Sequence, residues 1–281
     1  MNSIVLTAPK SNLKNFEQLF IEMTSYSLDY NPSGMPASRM KKLSKSEYMS
    51  FEKIRTSFSE LKGNKIKYIH LCGAEPMLHP EFNSILRYCL KHASTVIHTH
   101  GYSINDKKAG FFAKVEKENS YGNEIVVALK LSHYDERKND DYMGRGTWRK
   151  IVHALCSLQK NGYTPVVSVV NHENIDEEVL KNKYFAMFNQ TGISSENMMF
   201  KIVPDSACLG EFDAKREYIN TDCCKSRTLG LTGIYNCPFA TSDYRCYSGA
   251  DFNDFSKHAN LELSPCLACM QNDMSMMTLS V

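Results

Sequence analysis

Six of the ten cysteines of this 281-residue chain, Cys223, Cys224, Cys237, Cys246, Cys266 and Cys269, stand in its last quarter. Cys266 and Cys269 are separated only by Leu267 and Ala268, a spacing that lets two thiolates of one tight turn reach the same metal. Cys224 and Cys237 flank the run 229–236, in which Thr232-Gly233 has the composition of a hairpin turn, and a hairpin brings its two ends together. A knuckle and a hairpin thus offer four thiolates, Cys224, Cys237, Cys266 and Cys269, with Cys223 and Cys246 in reserve. Four thiolates suit either Zn or an iron–sulfur cluster, and spacing does not choose between them. The N-terminal stretch lacks the basic start and long apolar run of a secretory signal. A cytoplasmic chain is therefore expected, whose thiols bind metal rather than form disulfides. The scattered Cys72, Cys89, Cys156 and Cys208 read as small buried hydrophobes.

The elements that must position such a site alternate regularly. Strand-like runs fall at 19–25, 67–72, 94–99, 124–132, 164–170 and 197–203, and helical runs at 44–61, 80–92, 107–117, 147–161 and 176–191. Ser44 or Ser46 is the expected N-cap of the first helix, and the charged run 135–141 reads as a solvated loop. Alternation of this kind implies a parallel sheet with right-handed crossovers, and an open doubly wound sheet and a barrel satisfy it equally. In both, ligands sit at the C-terminal strand ends. The alternation stops after Pro204, giving an expected α/β body over 1–204 and a small cysteine-rich extension over 205–281. A net charge of +2 with 42% hydrophobic residues gives no electrostatic case for nucleic acid or a membrane surface.

The strand ends carry a further pattern. Cys72-Gly73-Ala74-Glu75-Pro76 follows the second strand, Thr99-His100-Gly101 the third, Lys130-Leu131-Ser132-His133-Tyr134-Asp135 the fourth, and Gly144-Arg145-Gly146-Thr147-Trp148 opens a helix. In their order these segments resemble the GGEP, TNG, SLDGxD and RGxGxF motifs of the radical SAM superfamily. The resemblance, which runs from about Ile21 to Cys269, implies a partial (β/α)6 TIM-like barrel with a twitch or SPASM extension holding an auxiliary [4Fe–4S] cluster. It also implies that the turn Gly73, Ala74, Glu75 meets the ammonium of S-adenosylmethionine.

The resemblance breaks at the loop after the first strand. The family places C-x3-C-x2-C there, three thiolates holding the cluster that meets S-adenosylmethionine. In this chain Tyr26, Tyr30 and Ser33 occupy those positions, or Ser27, Asn31 and Gly34 in the neighbouring register, and no cysteine precedes Cys72. On the fourth strand Ala128, Lys130 and Ser132 share the face that should point into the barrel. Lys130 and Ser132 thus stand where the family has Ser and Asp, placing an ammonium that either receives an anionic group or pairs with Glu75. His98 and His100 share a face of the third strand and, like His70, read as core or rim histidines. The expectation is a member without the radical step that keeps the auxiliary metal site and a pocket admitting S-adenosylmethionine. It would act as a binding or partner protein, with an active partner enzyme among its expected partners. The alternative is an enzyme that uses S-adenosylmethionine or another small molecule on a peptide or small-molecule substrate.

Overall fold

A computed structural model describes residues 16–25, 48–61, 63–73, 75–204, 226–236, 238, 241 and 246–254. Six strands, β1 Gln18–Glu22, β2 Tyr68–Cys72, β3 Ser94–Thr99, β4 Ile125–Leu131, β5 Val166–Asn171 and β6 Met199–Pro204, run parallel. Between them lie α1 Phe51–Glu60, α2 Phe82–Leu90, α3 Asp106–Glu118, α4 Glu136–Met143 and α5 Thr147–Lys160, and α6 Glu177–Gln190 joins β5 to β6. Their order across the sheet is their order along the chain. A doubly wound sheet needs a reversal of strand order. Without one, right-handed crossovers put every helix on the same face, and the sheet curls around its other face. The order therefore decides for the partial (β/α)6 barrel.

The sheet continues past Pro204. A seventh strand, β7 Ser226–Gly230, pairs in parallel with β1 on the edge away from β2, and β8 Gly233–Tyr235 and β9 Tyr247–Gly249 follow antiparallel. The hairpin expected near Thr232-Gly233 is there, with Gly230 opposite Gly233 and the two-residue turn on Leu231 and Thr232.

On β4 buried and half-buried residues alternate. Ile125, Val127, Leu129 and Leu131 belong to the hydrophobic core shared with the helices, which leaves Val126, Ala128 and Lys130 on the inner face. Leu19 and Ile21 of β1, Ile69 and Leu71 of β2, and Val167 and Val169 of β5 enter the same core.

Two expectations need correction. The helix expected over 44–61 begins as an α-helix at Phe51, and its N-cap is Ser50, whose hydroxyl accepts from Lys53 N at 3.2 Å. The run expected as a solvated loop over 135–141 is mostly helix α4, capped by Asp135, which accepts from Lys138 N at 2.9 Å. Its buried residues are only Asn139 and Met143, so no apolar period announced it.

Candidate functional site

The turn after β2 is built around a carboxylate. Glu75 is 3% exposed and accepts from Thr99 Oγ1 at 2.7 and 2.9 Å, from His100 N at 3.0 Å and from Met77 N at 3.2 Å. Thr99 Oγ1 in turn accepts from Gly101 N at 3.0 Å. The carboxylate thereby caps the 3₁₀ turn Pro76–Leu78 and fastens the end of β2 to the end of β3. The sequence motif placed Glu75 opposite a ligand ammonium; in the structure its hydrogen bonds come from a hydroxyl and two backbone amides. Gly73, at φ +123°, also has a local reason: a Cβ there would lie 2.6 Å from the carbonyl oxygen of Thr24. The close approach that requires glycine is that of the chain just after β1. Ala74 lies outside the described residues.

Lys130 is half-buried on the inner face of β4, and Ser132, just past the end of the strand, is fully buried. Ser132 Oγ has no hydrogen-bond partner among the described residues, although its backbone amide is held by Asn139 Oδ1 at 3.1 Å. Asn139 also donates to Thr147 Oγ1 at 3.1 Å, and Asp140 accepts from Gly146 N at 2.5 Å and Trp148 N at 3.0 Å. The segment Gly144-Arg145-Gly146-Thr147-Trp148 is thus tied through α4 to the end of β4.

Inside the barrel, sequence reasoning left His70 and His98 without a specific arrangement. His70 Nδ1 and His98 Nε2 are hydrogen-bonded at 2.9 Å, and Phe20 stacks on His70 with ring centroids 4.1 Å apart. Burial pushes His98 down to about 4, assisted by the charge of Lys201 on β6. Burial, then His98, then Lys201 lower His70 as well. Both rings are neutral at pH 7. Lys201 was missed by the sequence reading; its signal was a single cation inside the apolar run 197–203.

Farther along the same rim, beyond the end of β5, Glu173 gathers Lys138, Tyr134 Oη at 3.1 Å, His133 Nε2 at 3.4 Å and Lys183 at 3.6 Å. The Lys138 hydrogen bond above all holds this carboxyl down at about 2.

The C-terminal strands are locked to the same end of the barrel. Glu22 at the end of β1 accepts from Leu231 N at 3.4 Å and Thr241 Oγ1 at 3.1 Å. Lys53 Nζ donates to the carbonyls of Gly230 at 3.1 Å and Leu231 at 2.9 Å. The four expected metal ligands, Cys224, Cys237, Cys266 and Cys269, lie outside the described residues, as do Tyr26, Tyr30 and Ser33. Among the described residues no three His, Cys, Asp or Glu side chains converge as a metal site. Cys89 is the buried hydrophobe expected of it, with burial pushing its thiol pKa up.

The donor chemistry separates two groups that strand-end sites of this kind hold. The chain up to the end of β2 offers no thiolate to a three-thiolate cluster before Cys72, whose thiol donates to Ile21 O at 3.4 Å. Just beyond β4 the Ser132 hydroxyl is buried without a partner among the described residues, a position that suits a small polar ligand or a water.

Comparison with known proteins places these features. The family model described as the Radical SAM superfamily matches residues 30–181, more than half of the chain. The mycofactocin maturase MftC of Mycolicibacterium smegmatis (strain ATCC 700084 / mc(2)155) is 24% identical over 132 residues. That match covers 46% of this chain and 32% of MftC, so the chain spans about a third of that relative's length. Native anSMEcpe with bound AdoMet and the Cp18Cys peptide superposes with a TM-score of 0.61 at 14% identity, covering 85% of this chain and 78% of the other. Native anSMEcpe with bound AdoMet gives 0.61 at 12% identity, covering 94% and 84%. These likenesses establish the partial-barrel fold. No helix among the described residues is long and apolar enough to cross a membrane.

Proposed function

The chain belongs to the radical SAM superfamily, and from that premise we propose that it has lost the ligands of the radical-generating cluster and acts as a cytoplasmic binding or partner protein. The observation that carries this reading is the absence of any cysteine before Cys72 in a chain whose barrel is complete through β6. Three thiolates hold the family's cluster, and tyrosine or serine is a poor substitute for a soft ligand to low-potential iron. No step is therefore routed through such a cluster. The retained pocket takes S-adenosylmethionine or a related zwitterion: Gly73 and Ala74 offer backbone groups, Glu75 positions them, and Lys130 and Ser132 offer an ammonium and a hydroxyl. A peptide or small molecule is the companion ligand, a reading supported by the peptide bound to anSMEcpe. A partner enzyme of the same class would supply the radical step.

The tail holds one [4Fe–4S] cluster on Cys224, Cys237, Cys266 and Cys269, with Zn as the other metal that four thiolates accept. Support comes from the hairpin β7–β8, since Cys224 and Cys237 stand in sequence on either side of it.

A second reading, an enzyme using S-adenosylmethionine without radical chemistry, is favoured by the intact Glu75–Thr99–His100 fastening at the pocket edge. One assay addresses both. Purified protein incubated anaerobically with S-adenosylmethionine and dithionite should release no 5′-deoxyadenosine, and S-adenosylhomocysteine should accumulate only on the second reading. Release of 5′-deoxyadenosine dependent on this chain would contradict the proposal.

A further inference from the structure

The inner wall formed by β1, β2 and β3 carries three rings in a row. Leu19, Ile21, Ile69, Leu71 and Ile97 enter the core shared with the helices, so their strand neighbours Phe20, His70 and His98 stand on the inner face. Phe20 lies on His70 with 12° between the ring planes, and His70 stacks on His98 with centroids 5.2 Å apart and 26° between the planes. Phe20 and His70 are buried, whereas His98 is half-buried. Level with His98 on β4 stands Ala128, a small residue that is itself half-buried. The partial exposure of these two neighbours opens the His98 ring to the barrel interior.

The two imidazoles share one hydrogen bond, between His70 Nδ1 and His98 Nε2. Both rings are neutral at pH 7, so each carries one proton. Only two arrangements keep the bond. In the first, His70 donates from Nδ1, its Nε2 is bare, and His98 carries its proton on Nδ1. In the second, His98 donates from Nε2, its Nδ1 is bare, and the His70 proton sits on Nε2. His70 Nε2 is buried without a partner among the described residues. The second arrangement would therefore bury an unmatched N–H, and the first an unmatched lone pair. Among buried backbone groups an unmatched N–H is rarer than an unmatched acceptor, and the same desolvation cost acts on a ring. The first arrangement is the one held. His98 then presents an N–H from Nδ1, and among the described residues its hydrogen bond is the one to His70.

We infer that the β2–β3 wall binds an uncharged amide of the companion ligand, whose carbonyl oxygen accepts from His98 Nδ1. His70 is a positioning residue: its bond to Nε2 fixes the His98 tautomer, and Phe20 holds the plane of His70. An uncharged acceptor is favoured over a carboxylate because the side chains level with His70 on the neighbouring strands, Phe20 and Val96, are apolar and both histidines are neutral. A carboxylate buried there would lose its hydration with no cation on these three strands level with it. The inference rests on the reading of this chain as a binding protein for the nature of the ligand, and the tautomer stands independently of that reading.

The test uses the full chain with its histidines labelled with nitrogen-15, long-range proton–nitrogen spectra at pH 7, and thermal unfolding. His98→Phe and His70→Phe assign the two rings. Both rings should carry their proton on Nδ1; a bare Nδ1 on His98 would overturn the inference. Benzamide, a planar uncharged amide, should shift the His98 Nδ1 resonance and raise Tm by about 2–4 °C at roughly ten times its Kd. Benzoate, of the same shape but charged, should do less of both. His98→Phe keeps a ring and removes the donor, and it should weaken benzamide by about 3–10-fold, the worth of one neutral hydrogen bond. His70→Phe should weaken it likewise, because His98 is then free to carry its proton on Nε2, and the spectrum of that variant should show the move. No effect of benzamide, an equal or larger effect of benzoate, or benzamide binding that survives both variants would overturn the site. Should either variant fail to fold, the other assigns the rings and the benzamide–benzoate pair decides. Release of 5′-deoxyadenosine would contradict the binding-protein reading and leave this site standing, whereas a bare His98 Nδ1 would remove the site and leave that reading standing.

Discussion

Two carboxylates stand just beyond strand ends of this barrel, Glu75 after β2 and Glu173 after β5, and they are held in opposite ways. Glu75 is 3% exposed and hydrogen-bonded by the Thr99 hydroxyl and the amides of Met77 and His100, with the His100 ring nitrogen Nδ1 3.5 Å away and no lysine or arginine paired with it among the described residues. Glu173 has a side chain 26% exposed and gathers two lysines, a tyrosine and a histidine. A carboxylate surrounded by dipoles in a dry place fixes backbone geometry, because each donor comes from a different segment and each loses a partner if the carboxylate goes. One at the rim surrounded by long, mobile cations fixes little, because water and other charges can replace each partner. The buried acid thus fastens the ends of β2 and β3, and the better-connected, half-buried one centres an ion cluster at the rim.

That contrast can be broken by mutation. Glu75→Ala should cost about 3–5 kcal/mol in urea unfolding, since it strands the Thr99 hydroxyl and the His100 amide in the interior. A loss below about 1 kcal/mol would mean that the turn after β2 holds without its carboxylate.

The next effect belongs to the barrel interior and is read by pH. A His98 held at about 4 in the folded chain is ordinarily near 6.5 when unfolded. The neutral form is therefore favoured by folding, and as pH falls below about 6.5 only the unfolded chain takes up the proton. Stability is full above that pH and declines toward pH 4, by about 3 kcal/mol for this one group. Urea midpoints measured from pH 7 to pH 4 should fall, and the fall should shrink in His98→Gln. An unchanged slope in that variant would place the titration elsewhere.

The smallest effect is expected at the rim. Glu173 has a depressed pKa, so its contribution is present above about 4.5 and is lost as pH falls toward 2. With a quarter of its side chain in water, Glu173→Gln should change stability by less than about 1 kcal/mol at pH 7. A loss matching that of Glu75→Ala would erase the distinction between the two acids.

Much of this frame was legible in the residues. β3 reads from Ser94 to Thr99 in both sequence and structure, because STVIHT is β-branched and bounded by Ala93 and Gly101. The inward face of Lys130 follows from strand alternation alone. Helix α4 was invisible because ERKNDDYM has no apolar period; side-chain bonds from Asp135, Asn139 and Asp140 hold it. The pairing of β7 with β1 joins residues about 200 positions apart, and no local pattern encodes such a partner. The motif marked Glu75, and its hydrogen bonds to Thr99 and the His100 amide join residues across two strand ends, which no local pattern encodes. Lys201 went unnoticed because a single charge in a strand carries no periodicity, and the register that sets it level with Ser168 and Lys130 is not a local property.

The central claim, a radical SAM barrel without its own radical cluster, is tested most directly by metal stoichiometry. The full chain should be reconstituted anaerobically with iron and sulfide, and iron counted alongside electron paramagnetic resonance of the reduced protein. The account predicts about four irons per chain and one cluster signal, both abolished by replacing Cys266 and Cys269 with serine, and no signal altered by S-adenosylmethionine. About eight irons per chain, or a cluster signal that survives loss of Cys266 and Cys269 and shifts on addition of S-adenosylmethionine, would contradict it.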